Sequence, residues 1–141
     1  DIAALKGDAK NGRAVFAGHC ASCHKAGQTG SSIGPELTSI GKKFDKTGLL
    51  DAIINPSAAI LLGYEPWLIN TKDGGSFFGF LISENKQALT IKDVAGQQHT
   101  IATEKISSKQ KQNKSLMPEP AVAGMSEQEL ADVAGYLLAG K

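Results

Sequence analysis

Apolar and polar residues alternate with two different periods along this chain, and the change of period divides it. Near the N-terminus, Ala14, Val15 and Phe16 follow Asp8, whose carboxylate suits the cap of a helix running toward Cys20. Gly12 and Phe16 lie four apart on one face of that helix. A glycine there costs helix stability unless another backbone must approach. Residues 27–35 are rich in Gly and Ser and read as loop. Leu49, Leu50, Ile53 and Ile54 then share a helical face, which predicts a second helix over 47–54. Asn55-Pro56 ends it, because the residue before proline is pushed out of the helical region. A short apolar stretch over 58–62 is closed by Gly63.

From Tyr64 the period shortens to two. Trp67-Leu68-Ile69, Phe77 to Ile82, Leu89 to Ile91 and His99 to Ile101 are β-prone runs. Turn signals separate them at 72–75, 83–86 and 93–96, so the segment reads as an antiparallel meander ending at Ile106. Gly79 inside a strand predicts a bend that curls a small sheet toward a barrel. The Sm-like small barrels show a comparable layout. After Ser107 a polar loop leads to Leu116-Met117-Pro118. Ser126 and Glu129 form a capping box, and Leu130, Val133, Ala134, Leu137 and Leu138 make the apolar stripe of a last helix.

Composition narrows the classes. The 141 residues suit one domain, or one domain with an insert. With 41% apolar and 21% charged residues the make-up is that of an ordinary globular protein. A net charge of +1 gives no strong field and argues against nucleic acid as the main partner. No apolar run reaches the length of a membrane span. The chain begins at Asp1 with no signal peptide, which is expected of a processed form or of a piece of a longer protein.

Candidate chemistry sits at Cys20-Ala21-Ser22-Cys23-His24, a C-x-x-C-H run holding the only two cysteines. Thiols at that spacing can add to the two vinyl groups of one porphyrin, and the adjoining imidazole can bind its iron. The pattern therefore predicts one haem c, attached through Cys20 and Cys23 with His24 as metal ligand. Structural zinc needs four ligands, and His19 and His99 do not complete such a set. A thioredoxin-type pair begins a helix, whereas this one follows a helix. A plain disulfide would not need His24.

Met117 is the candidate second ligand. Its thioether favours ferrous iron, and Pro118 fixes the loop direction. Met117 as a gap-filling core residue, Met125, a histidine or an open site are the alternatives. His99, alone on a strand, reads as a surface or satisfied core residue, and His19 as exposed or packed at the haem rim.

These residues together resemble class I cytochromes c. The matching pieces are Gly12 and Phe16, the C-x-x-C-H run, Gly34-Pro35-Glu36-Leu37, Leu49 to Pro56, Met117-Pro118 and the final helix with Tyr136. The resemblance implies a tight crossing of the first and last helices at Gly12, Phe16, Tyr136 and Leu137. It also implies that the Pro35 carbonyl accepts the His24 Nδ1–H and fixes the ring. The expected fold is a mainly α cytochrome c fold with an inserted small antiparallel β-sheet or barrel. The haem-binding core is expected over 1–63 and 108–141, with the insert over 64–107. The whole chain is similar to a haem-binding domain of planctomycetes and verrucomicrobia that shares the stretches at 63–67 and 115–118. Such domains stand in long multidomain proteins, some beside dehydrogenase-like propellers. In that setting Tyr64 and Trp67 are candidates to hydrogen-bond a haem propionate, Trp67 equally an anchor of the barrel core.

The expected function is one-electron transfer between redox proteins, or with a fused dehydrogenase domain, in the periplasm or another exported compartment. No catalytic constellation is visible. The alternatives are a gas or redox sensor whose sixth ligand leaves, a peroxidase-like enzyme, and a module that docks a partner through the insert.

Overall fold

The computed structural model describes residues 1–61 and 63–140. Leu62, at the end of the short apolar stretch, lies outside them. The chain forms two compact units, Asp1–Ala58 with Pro118–Lys141, and Ala59–Met117.

The first unit is helical. It comprises α1 (Ala9–His19), a short hairpin of β1 (Lys25–Ala26) and β2 (Thr29–Gly30), α2 (Lys46–Ile54), α3 (Pro120–Ala123) and α4 (Glu127–Leu138). Asp8 caps α1 by accepting from the N–H groups of Lys10 and Asn11. Asn55 ends α2, its φ of −120° and ψ of 65° lying outside the helical region ahead of Pro56. α1 and α4 cross closely. A Cβ on Gly12 would stand 1.9 Å from the Asp132 carbonyl oxygen and 2.8 Å from Tyr136 Cβ. The Phe16 ring, fully buried, meets the Tyr136 ring at 5.7 Å between centroids. Leu49, Leu50, Leu130, Val133, Ala134 and Leu137 complete this core. Each such side chain contributes roughly 1.5–3 kcal/mol on burial.

One charge lies inside the crossing. Asp132 is only 3% exposed. Its carboxylate accepts from Asp8 N–H at 2.8 Å, Asn11 Nδ2 at 2.7 Å and Gln128 Nε2 at 2.9 Å. The Asp8 N–H bond first, then the two amide bonds, hold its pKa below the usual carboxylate range. The N-terminus of α1 adds a favourable dipole to the same anion.

The capping box of α4 is formed. Ser126 Oγ accepts from Glu129 N–H at 3.1 Å, and Glu129 Oε1 accepts from Ser126 N–H at 3.0 Å. Ser126→Ala is expected to lower the stability of this unit by about 1 kcal/mol. Urea unfolding followed by far-UV circular dichroism measures it.

The second unit is a five-stranded antiparallel sheet in the order β6-β5-β4-β3-β7. Its strands are β3 (Pro66–Thr71), β4 (Ser76–Glu84), β5 (Ala88–Lys92), β6 (Gln98–Ala102) and β7 (Ile106–Lys111). Ile69, Leu89, Ile91 and Ile101 form its core, with Trp67, Phe77, Leu81 and Ile106 packed against them. Gly79 permits a close approach of β5 to β4, because a Cβ there would stand 2.0 Å from the Lys92 carbonyl oxygen. The β4–β5 register shifts between Leu81 and Ser83.

Two expectations are corrected here. The mainly α cytochrome c fold does not describe the molecule, which is 32% helix and 25% strand. The period-two stretch builds a core of its own and a five-stranded sheet. The polar loop expected after Ser107 is instead strand through Lys111, paired with β3. As an edge strand it is largely solvated, so it carries lysine and glutamine in place of an apolar alternation.

Candidate functional site

Cys20 is the C-cap of α1, with its N–H on the Phe16 carbonyl at 2.8 Å. One more turn follows. The N–H groups of Cys23 and His24 both donate to the Cys20 carbonyl, at 3.1 and 2.8 Å. Two sulfurs and an imidazole are thereby carried on a single tight turn. Both cysteines are half-buried and unpaired. Burial pushes the Cys20 thiol up to about 11, and Cys23 beside it adds to the rise. A dithiol redox centre needs the reverse, a depressed thiolate pKa at a helix N-terminus.

His24 is oriented from outside its own turn. Its Nδ1 lies 2.6 Å from the Pro35 carbonyl oxygen. A carbonyl can only accept, so in the neutral ring Nδ1 carries the proton and Nε2 keeps its lone pair. Nε2 makes no hydrogen bond among the described residues. Gly34 is buried against the ring, where a Cβ would stand 3.1 Å from Cε1. Among the described residues no three or more His, Cys, Asp or Glu are grouped so as to hold a metal ion.

The main chain of the turn is held by the segment that follows β1. Gly30, at φ 110°, lies so near the His24 carbonyl that a Cβ would stand 1.9 Å from its oxygen. Ser31 N–H donates to that carbonyl at 3.2 Å, Gly34 N–H to Cys23 O at 2.6 Å and Leu37 N–H to Lys25 O at 2.7 Å. Ser31 Oγ donates to Ser22 O at 2.6 Å.

Cys20, Cys23, His24 and Pro35 are thus brought together within the helical unit. Tyr64, Trp67 and Met117 belong to the sheet unit. Tyr64 sets its ring edge-on to Phe80 at 5.3 Å. Trp67 packs on the sheet core, with Lys109 Nζ 5.5 Å from its ring centroid. Met117 is half-buried, and its N–H donates to Ser115 Oγ at 3.1 Å. His99 is a satisfied side chain: Nε2 pairs with Asp93 Oδ2 at 2.8 Å, and the ring lies beside Phe77 at 5.2 Å. His19 is exposed. The residues that sequence reasoning passed over are Ser31 and Asp132. Asp132 left a visible signal, a carboxylate interrupting the stripe from Leu130 to Leu138. Ser31 left none, since its bond partner is a backbone carbonyl nine positions earlier.

Thiols that are free, an imidazole with its tautomer set and Nε2 open, and a turn rigid enough to keep them together can take a porphyrin by its edge and bind its metal from one side. These residues fit such a group, and the class of protein they define is one that carries a covalently tethered porphyrin. A family model for cytochrome c matches residues 9–141, and the chain belongs to the cytochrome c family. Membership implies covalently bound haem c. The chain is 32% identical over 65 residues to a cytochrome c-553-like protein of Synechocystis sp.. That match takes in 46% of this chain and spans only 61% of the relative's length. A crystal structure of the pleiotropic translational regulator Hfq aligns at a TM-score of 0.32 and 16% identity, over 52% of this chain and 92% of that one. A likeness that slight bears on neither fold nor function.

Proposed function

We propose that this chain carries a single haem c and passes single electrons between redox proteins, or to and from a dehydrogenase domain of the same polypeptide. Bound haem c supplies a one-electron iron couple. Cys20 and Cys23 hold it through sulfur, and His24 Nε2 is the ligand on one side of the iron. Pro35 keeps the ring in one tautomer by accepting the Nδ1 proton. The observation that carries this reading is the 2.6 Å contact between His24 Nδ1 and Pro35 O beside two unpaired thiols.

Met117 is proposed as the second ligand on the strength of its sequence context, an uncharged soft donor ahead of a proline. Tyr64 and Trp67 are proposed to serve a propionate through their polar tips. Attachment by cysteine is the ground on which the periplasm or another exported compartment is proposed. No helix among the described residues is long and apolar enough to cross a membrane. The inserted sheet supports the planctomycete and verrucomicrobial type.

The test is a mass and a visible spectrum of protein made in cells able to mature cytochromes. The whole-molecule mass is expected to exceed that of the polypeptide by one haem. Oxidised protein is expected to show a sulfur-to-iron charge-transfer band that Met117→Ala abolishes. A mass equal to the bare chain refutes the haem. An unchanged band in the variant removes Met117 from the iron.

A further inference from the structure

We propose that Ser31 is a positioning residue for His24, acting through the main chain of the attachment turn; the inference rests on the haem reading above and deepens it. Four consecutive backbone carbonyls, from Ser22 to Lys25, each accept one hydrogen bond from the segment 31–37. Cys23, His24 and Lys25 are bound by main-chain N–H groups. Those bonds use only the main-chain N–H of residues 31, 34 and 37. Ser22 is different, because its partner is the Ser31 hydroxyl at 2.6 Å. Ser31 also donates its N–H to His24 O at 3.2 Å. One residue therefore fastens the peptide before Cys23 and the peptide after His24. It holds the pair that carries the second sulfur and the imidazole at both of its ends.

The geometry gives this fastening a direct bearing on the ring. His24 is held at its far end by Pro35 and at its backbone by Ser31, so the torsions between them have little freedom. Releasing Ser22 O frees the peptide ahead of Cys23 and lets the turn relax about Cys20. The imidazole plane then rotates while Nδ1 stays on Pro35. A hydroxyl is required at position 31, and threonine supplies one, whereas alanine keeps the backbone N–H bond and loses the side-chain bond.

The test uses holoprotein of wild type, Ser31→Ala and Ser31→Thr. The spread of the haem-methyl proton resonances in the oxidised state and the reduction potential both report the ligand plane. Ser31→Ala is expected to change both, and Ser31→Thr to return both toward wild type. Alanine that leaves both unchanged while lowering the melting temperature would show a purely structural bond and overturn the proposal. Failure of Ser31→Ala alone to take up haem, with Ser31→Thr competent, supports it. Amide exchange of His24 and Gly34 in the protein as purified gives a second readout, expected to quicken about fivefold in Ser31→Ala. Equal exchange in the two proteins overturns the clamp. If wild type itself bears no haem, the haem reading fails, and this exchange experiment still decides whether Ser31 holds the turn.

Discussion

Alanine at position 12 will destabilise the helical unit by about 3 kcal/mol, even though alanine is intrinsically better than glycine in a helix by about 1 kcal/mol. The added methyl would lie 1.9 Å from the Asp132 carbonyl oxygen and 2.8 Å from Tyr136 Cβ. Neither neighbour can yield. The first is helix backbone, and the second belongs to a side chain only 6% exposed. The helices must therefore separate, and the Phe16–Tyr136 contact opens with them. Gly18 on the same helix is the control, for a Cβ there meets nothing within 4 Å. Gly18→Ala is expected to raise stability by about 1 kcal/mol. Urea midpoints read by far-UV circular dichroism compare the two. Equal shifts of the same sign would show that α1 does not cross α4 at Gly12.

The second large effect is expected at Asp132. Asp132→Ala removes the ionised acceptor of three donors, one of them the N–H of Asp8 at the start of α1, and costs about 3 kcal/mol. The pH dependence has a definite sign. A carboxyl whose folded pKa is depressed adds stability above its unfolded value, about 3.9. That stability is lost as pH falls through the lower, folded value. Acid should therefore weaken wild type more steeply than Asp132→Asn in this range. Glu129 and Asp93 are also held low by hydrogen bonds, but they are more open to solvent and contribute less. Coincident acid transitions for wild type and Asp132→Asn would exclude the buried carboxylate as their cause.

What could be read from the sequence follows the range over which its signals act. The caps at Asp8 and Ser126 are local chemistry, with donor and acceptor within three residues of each other, and both were legible. So were the strands whose alternation is written in side chains, from Trp67 to Ile101. β7 was not, because its outward positions are solvated and its pairing comes from β3, about forty positions away. α3 was missed for another reason: four residues are too few to show a period, and only Pro120 at its start and Gly124 at its end mark it. The balance of helix and sheet is not legible from the two ends, because the residues that resemble cytochromes c leave out the strands between them. At the site, the thiols and imidazole were plain from their spacing. The Ser31 clamp was hidden, since backbone acceptors carry no sequence signature.

The bond from Asp8 N–H to Asp132 spans 124 positions of chain, whereas every strand of the sheet finds its neighbours within about fifty. A polypeptide emerging from its N-terminus can thus complete the sheet while α1 still lacks its mate. The attachment turn hangs from α1 throughout that interval, reachable by whatever machinery must join the vinyl groups. Arrival of α4 then gives α1 its partner and fixes the helix that bears the turn.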